Sequence, residues 1–122
     1  EPGDHGSTFG GNPLGAAVAL ASLAVIEDEK LCERAASLGA DLMESIRNFD
    51  SPHVAEIRGA GLLVGVEIKE SSGPARVFCE ALMAQGILAK ETHERVIRLA
   101  PPLTIDSEDL NWAIKRLREV LT

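Results

Sequence analysis

This chain is short of aromatic residues, cysteine and positive charge, and each shortage narrows what it can be. It has three Phe, one Trp and no Tyr, so a packed interior must be built from Leu, Val, Ile and Ala. Its only cysteines, Cys32 and Cys79, lie far apart in sequence. Their spacing suits neither a disulfide framework nor a metal centre, and they read as buried thiols in a reducing cytoplasm. Twelve Lys and Arg stand against 19 Asp and Glu, for a net charge of −7 with no basic run. That balance argues against a nucleic-acid partner or an anionic membrane surface. No apolar stretch is long enough to span a bilayer, and the acidic, glycine-rich beginning is not a signal peptide. No Ser/His/Asp or Cys/His set is evident, and His5, His53 and His93 lack metal-ligand spacing. Repeats and low-complexity tracts are also lacking.

What is present fits one compact domain with one core, since 122 residues are too few for two. Leu14 to Glu27 is apolar on every face. Such a helix is buried all round or requires a partner. The next helix, about Lys30 to Phe49, carries Leu31, Ala35, Leu38, Leu42, Ile46 and Phe49 on one stripe. Val54–Arg58 and Leu62–Ile68 read as strands around a turn or bulge at Gly59-Ala60-Gly61, followed by a loop over 70–73. Pro74 opens a helix with Val77, Phe78, Ala81 and Leu82 inward, which Gly86 closes. Short strands are expected at Ile87–Ala89 and Val96–Leu99, with a polar loop over 90–95 between them. The last helix starts at Asp106 and buries Leu110, Ala113, Ile114, Leu117 and Leu121. This order predicts an α/β (α+β) domain, a small, largely antiparallel sheet with helices on one face.

Three segments carry possible chemistry. In His5-Gly6-Ser7-Thr8-Phe9-Gly10-Gly11-Asn12-Pro13, adjacent hydroxyls sit among glycines at a helix start. Ser7 and Thr8 offer side-chain and backbone donors together, the chemistry of a phosphate grip. The competing reading is a glycine-rich turn, with Asn12 as N-cap and Pro13 at the first helical position. In Val96-Ile97-Arg98-Leu99-Ala100-Pro101-Pro102-Leu103, a single guanidinium stands among apolar neighbours. Arg98 must reach water, pair with a carboxylate of the protein, or receive an anionic ligand, for which its planar fork suits a carboxylate. The third segment, Ile57-Arg58-Gly59-Ala60-Gly61-Leu62, reads as structural: its glycines permit a tight strand junction, and Arg58 ties down loop carbonyls or a carboxylate. No glycine-rich turn opens a helix after a strand, so a dinucleotide site is not expected.

Gly-Ser-Thr-Phe-Gly-Gly-Asn-Pro-Leu-Gly with its alanine-rich helix, Ile-Arg-Leu-Ala-Pro-Pro-Leu and Arg-Gly-Ala-Gly-Leu together resemble the class III aminotransferases, over essentially the full length. The resemblance implies a pyridoxal 5′-phosphate enzyme of fold type I. Residues 1–12 would be a cofactor-phosphate loop from the large-domain side, 13–28 the helix linking the domains, and 29–122 the C-terminal small domain. Ser7 and Thr8 would reach the cofactor phosphate of the other subunit of a homodimer, and Arg98 would grip a substrate carboxylate. His5-Gly6 and Lys90-Glu91-Thr92-His93 are more similar to the branch that transfers the δ-amino group of ornithine to 2-oxoglutarate than to the acetylornithine branch. Such chemistry requires a lysine that holds the cofactor covalently. Lys30, Lys69, Lys90 and Lys115 do not match its place in the family pattern, and by resemblance that lysine precedes Glu1. The start at Glu1-Pro2-Gly3-Asp4-His5, without Met, is read in the same sense, as a fragment predicted to be inactive alone. The alternatives are another ω-amino acid aminotransferase, a stand-alone module binding an amino acid or small anion through Arg98, and an association domain pairing through its first helix.

Overall fold

The computed structural model describes residues 6–122. Four helices and four strands follow in the order α1 (Pro13–Asp28), α2 (Leu31–Arg47), β1 (Val54–Ala60), β2 (Leu63–Ile68), α3 (Ala75–Ala84), β3 (Lys90–Thr92), β4 (Val96–Leu99) and α4 (Ser107–Leu121). The strands form one antiparallel sheet in the order β1-β2-β4-β3. Helices α2, α3 and α4 cover one face of it. Strand alternation separates the faces. Val64, Val66, Ile68, Ile97 and Leu99 point into the helices and are buried, while Arg58, Glu67 and Arg98 belong to the open face.

The core joins those strand residues to Leu42, Ile46 and Phe49 of α2 and its end, Phe78, Cys79 and Leu82 of α3, and Leu110, Leu117 and Leu121 of α4. Helix α2 buries the expected stripe, with Gly39 added to it and Leu38 at its margin. A Cβ on Gly39 would lie 2.0 Å from the carbonyl oxygen of Gly61. Helix and β1–β2 turn therefore meet backbone to backbone, and only glycine permits that approach. Helix α4 is capped by Asp106, whose side chain accepts the Asp109 N–H at 2.8 Å. Arg34 of α2 donates to the Ile105 carbonyl, tying α2 to the loop between β4 and α4.

Several expectations need correction. Cys79 is buried, but Cys32 is exposed at the start of α2, and both are free thiols. In α3 it is Ala75 and Cys79 that join Phe78 and Leu82 inside, whereas Val77 and Ala81 face out. Arg76 and Glu80 mark a narrow polar side, and Val77 and Ala81 extend the apolar surface beyond the residues that the core covers. The strand expected at Ile87–Ala89 lies at Lys90–Thr92 instead, within the predicted polar loop. The 87–89 segment is an irregular connection that tucks Ile87 and Ala89 partly against the core. The β1–β2 turn falls at Gly61-Leu62, the register irregularity of β1 lies near Ala55, and residues 70–72 form a 3-10 turn.

Helix α1 has no buried residue. It packs chiefly on α2 and exposes Leu14, Val18, Leu20, Leu23 and Val25. Its apolar character thus reflects an uncovered surface, not a core position. Among the described residues, no helix is long and apolar enough to cross a membrane.

Candidate functional site

The turn before α1 satisfies its own backbone while leaving its hydroxyls at the surface. Asn12 caps the helix: its Oδ1 accepts the Gly15 N–H at 2.8 Å, and its Nδ2 donates to the Phe9 carbonyl at 2.6 Å. Ser7 Oγ accepts the Gly10 N–H at 2.8 Å, which leaves its own O–H free to donate. Gly11 takes a positive φ of 78° at the bend. Ser7 and Thr8 are exposed. The cap and the phosphate grip are therefore compatible, because different side chains serve them. His5 lies outside the described residues.

Arg98 lies on β4 with Gly65 of β2 on one side and Lys90 of β3 on the other. Its neighbours Ile97 and Leu99 are buried, which forces its own side chain onto the open face. Among the described residues it takes part in no ion pair. Behind it, an apolar cavity of about 230 Å³ is lined by Leu42, Leu99, Pro101, Pro102, Ile105 and Leu117, among others. The two prolines that follow Arg98 thus share this lining with residues of α2 and α4.

The neighbouring charges are paired, those of Arg58 on this face and that of Glu91, which opposes the buried Ile97, on the helix side of the sheet. Arg58 Nη1 holds Glu67 at 2.6 Å and Glu56 at 3.1 Å. The Glu67 hydrogen bond, outweighing a smaller loss from burial, raises the Arg58 pKa. Arg58 thus ties down carboxylates, not loop carbonyls. Glu91 lies between Lys90 at 3.3 Å and Arg76 at 3.4 Å. A backbone hydrogen bond, then the Lys90 ammonium, hold its carboxyl below the ordinary carboxylate range. Sequence reasoning missed both glutamates that face Arg58. A two-residue turn at 61–62 implies that 58 opposes 65 and 56 opposes 67, so the register was available once the turn was placed.

The two motifs do not close into one pocket within a single chain. Ser7 and Thr8 precede α1, which packs on α2, while Arg98 belongs to the sheet. The lysines offer no enclosed amine. Lys69 Nζ donates to the Pro52 carbonyl, Lys90 pairs with Glu91, and Lys30 and Lys115 are exposed. As for pyridoxal 5′-phosphate, the donor set suits its phosphate, with two exposed hydroxyls beside a helix start. No lysine among the described residues suits its covalent attachment.

Comparison with known proteins gives a consistent picture. The family model for "Aminotransferase class-III" matches residues 1–121. Ornithine aminotransferase from Bacillus cereus (strain Q1) is 54% identical over 122 residues, covering all of this chain and 30% of the relative. That of Bacillus subtilis (strain 168) is 54% identical over 120 residues, covering 98% and 29%. The chain thus spans about 30% of the length of the curated relatives it matches. Among solved structures, an ornithine aminotransferase from Toxoplasma gondii superposes with a TM-score of 0.88 at 43% identity, covering 99% of this chain and 29% of the other. An acetylornithine aminotransferase from Elizabethkingia anophelis gives 0.86 at 43% identity, covering 99% and 33%.

Proposed function

The chain belongs to the class III aminotransferase family, and on that premise we propose that it is the C-terminal part of a pyridoxal-phosphate-dependent ornithine aminotransferase. That enzyme moves the δ-amino group of ornithine to 2-oxoglutarate, giving glutamate semialdehyde and glutamate. The observation that carries the reading is the 54% identity, over the whole chain, to proteins bearing that name.

In this reading residues 29–122 are the small domain, 13–28 the linking helix and 1–12 the loop toward the cofactor. The exposed apolar surface of α1 supports the linking role, because an apolar helix with no buried residue gains stability only against further polypeptide. The same exposure speaks against a stand-alone binding module. When bound, pyridoxal phosphate supplies the electron sink for the amino transfer. Ser7 and Thr8 donate hydrogen bonds to its phosphate across the interface of a cytoplasmic homodimer. Arg98, anchored by Ile97 and Leu99 and lacking an acidic partner among the described residues, receives a substrate carboxylate with two parallel hydrogen bonds and fixes the substrate's orientation. The lysine that holds the cofactor lies in the remaining length of the enzyme, so the 122-residue chain is inactive alone.

The test is Arg98→Gln in the full-length enzyme. Losing a charge-assisted bidentate contact costs about 1.5–3 kcal/mol, or roughly 10- to 150-fold in kcat/KM for ornithine or 2-oxoglutarate. Unchanged kinetics would refute the role of Arg98, and transamination by the isolated chain would refute the placement of the lysine. The likeness to an acetylornithine aminotransferase structure favours that substrate as the second reading. A higher kcat/KM for acetylornithine than for ornithine would select it.

A further inference from the structure

The sheet order leaves β1 and β3 at its edges, and hydrogen-bond parity shows what each edge presents. The Ile68 N–H donates to the Arg95 carbonyl at 2.8 Å, one step beyond the Glu67–Val96 pair. Even-numbered residues of β2 therefore turn their backbone groups to β4, and odd-numbered ones turn theirs to β1. Glu56, Arg58 and Ala60 oppose Glu67, Gly65 and Leu63, so Ile57 and Gly59 point their N–H and C=O groups away from the sheet. A side chain marks the same direction: Arg47 of α2 reaches the outward Ile57 carbonyl, at a long 3.4 Å. The row Arg58-Gly65-Arg98-Lys90 crosses the open face and ends on β3, where the same parity turns only Glu91 outward. The Glu91 N–H is bonded to its own carboxylate, which Lys90 and Arg76 also hold. The edge at β3 is thus short and closed, whereas β1 offers a longer strand with unpaired groups, a template for another strand.

Strand β1 is also complementary to itself. When two copies are set antiparallel across a two-fold axis at Ile57, the two Ile57 residues exchange both backbone hydrogen bonds. Glu56 then opposes Arg58 of the second copy, and Arg58 opposes its Glu56. Both side chains are exposed on the open face, and opposite charges directly across a strand pair attract. Arg58 keeps Glu67 at 2.6 Å on its inner flank while the second copy's carboxylate approaches from the outer one. On the helix side the half-buried Ile57 borders a groove of about 410 Å³, lined by Ile46, Arg47 and Val54, among others, which receives the second Ile57. The same operation on β3 would set Glu91 against Glu91.

We propose that β1 is a docking edge for a second copy of this chain, joining two four-stranded sheets into one through paired Ile57 backbones and reciprocal Glu56–Arg58 contacts. A contact of this size is small, so the association is weak and depends on concentration. It is separate from α1 and from the turn that holds Ser7 and Thr8. In a homodimeric enzyme it therefore joins whole dimers, into tetramers or longer chains according to the angle between the two axes.

Sedimentation velocity of the full-length enzyme over a wide range of concentration tests this. The basic assembly should give way at high concentration to whole multiples of itself. Glu56→Arg turns two attractive cross-strand pairs into two repulsive ones and should weaken the association about 10- to 30-fold. Ile57→Pro removes an N–H that points out of the sheet, so the ladder within the chain survives while the association is lost. Arg47→Met acts in the opposite sense. It frees the Ile57 carbonyl from its competitor and should tighten the association about 2- to 5-fold, which a purely structural role for Arg47 would not do. Circular dichroism checks that each variant folds. A constant size at every concentration overturns the proposal, as does an association that Glu56→Arg and Ile57→Pro leave unchanged. If neither of those two variants folds, Arg47→Met decides, and an association no tighter than the parent's overturns the proposal.

Discussion

Replacing Gly39 by Ala sets two effects of opposite sign against each other within one methyl group. Inside a helix, Ala is favoured over Gly by about 1 kcal/mol. At this position the new Cβ would lie 2.0 Å from the Gly61 oxygen, 2.3 Å from its carbonyl carbon and 2.9 Å from its Cα. Relief requires α2 and the β1–β2 turn to separate by roughly 1 Å, given that dense interiors leave no slack. The opposing groups are backbone, so no side chain can rotate away. Overpacking typically costs about 1–3 kcal/mol and sometimes more; a backbone clash this deep belongs at about 3–4. The net expectation is a loss of about 2–3 kcal/mol. With a typical urea slope this lowers the midpoint by about 1–2 M at unchanged slope, and it lowers Tm by roughly 8–12 °C. Denaturation followed by far-ultraviolet circular dichroism measures both. Ala40→Gly, at an exposed position of the same helix, calibrates the propensity contribution in the same chain. A Gly39→Ala variant as stable as the parent, or more so, would show that the backbone contact does not constrain the fold.

Two further outcomes follow from local geometry. His93 and Glu94 occupy the β3–β4 turn with φ of 50° and 62°, a region that favours glycine. The Glu94 carbonyl accepts the Ala75 N–H at 2.9 Å, a backbone bond that survives substitution. Glu94→Gly should therefore stabilise by about 0.5 kcal/mol, the relieved strain exceeding the added chain entropy, and a lower urea midpoint would contradict this. Glu91, whose carboxyl the fold keeps below its ordinary value of 4.5, stabilises the folded state above that value and loses this contribution as pH falls through the folded pKa. Glu91→Gln should thus be less stable than the parent at pH 7, and the gap should close as pH falls through the lowered folded pKa of Glu91. A gap that persists in acid would assign the loss to packing.

Legibility in the sequence followed the strength of each periodic signal. Helices α2 and α4 carry one apolar stripe against a charged background, and their buried residues emerged almost completely. Strand β4 was clear because Ile97 and Leu99 alternate with a charge. Strand β3 was hidden because Lys90, Glu91 and Thr92 form a sheet edge, where pairing alone makes the strand and polar residues serve. In α3 the apolar surface is wider than the buried stripe, with only Arg76 and Glu80 marking a polar side, and Val77 was placed inward where Cys79 belongs. The close approach at Gly39 depends on a turn 22 residues later, a coincidence in space that no local pattern encodes. At the candidate site, the motif residues were legible one by one. The row that joins Arg58 to Arg98 emerged only with the strand register, because it crosses three strands.

The sheet order also bears on how the chain can assemble. Strands β1 and β2 pair through a two-residue turn, and β3 and β4 through another short one, so both hairpins close early and locally. Only the β2–β4 seam joins distant segments, and α3 spans the gap between them. Nucleation therefore has two separate starting points and one late docking step, the step that loop-closure entropy slows. A break within the Glu70–Pro74 connection would leave each hairpin beside its own helices, making this chain a natural candidate for reconstitution from two halves.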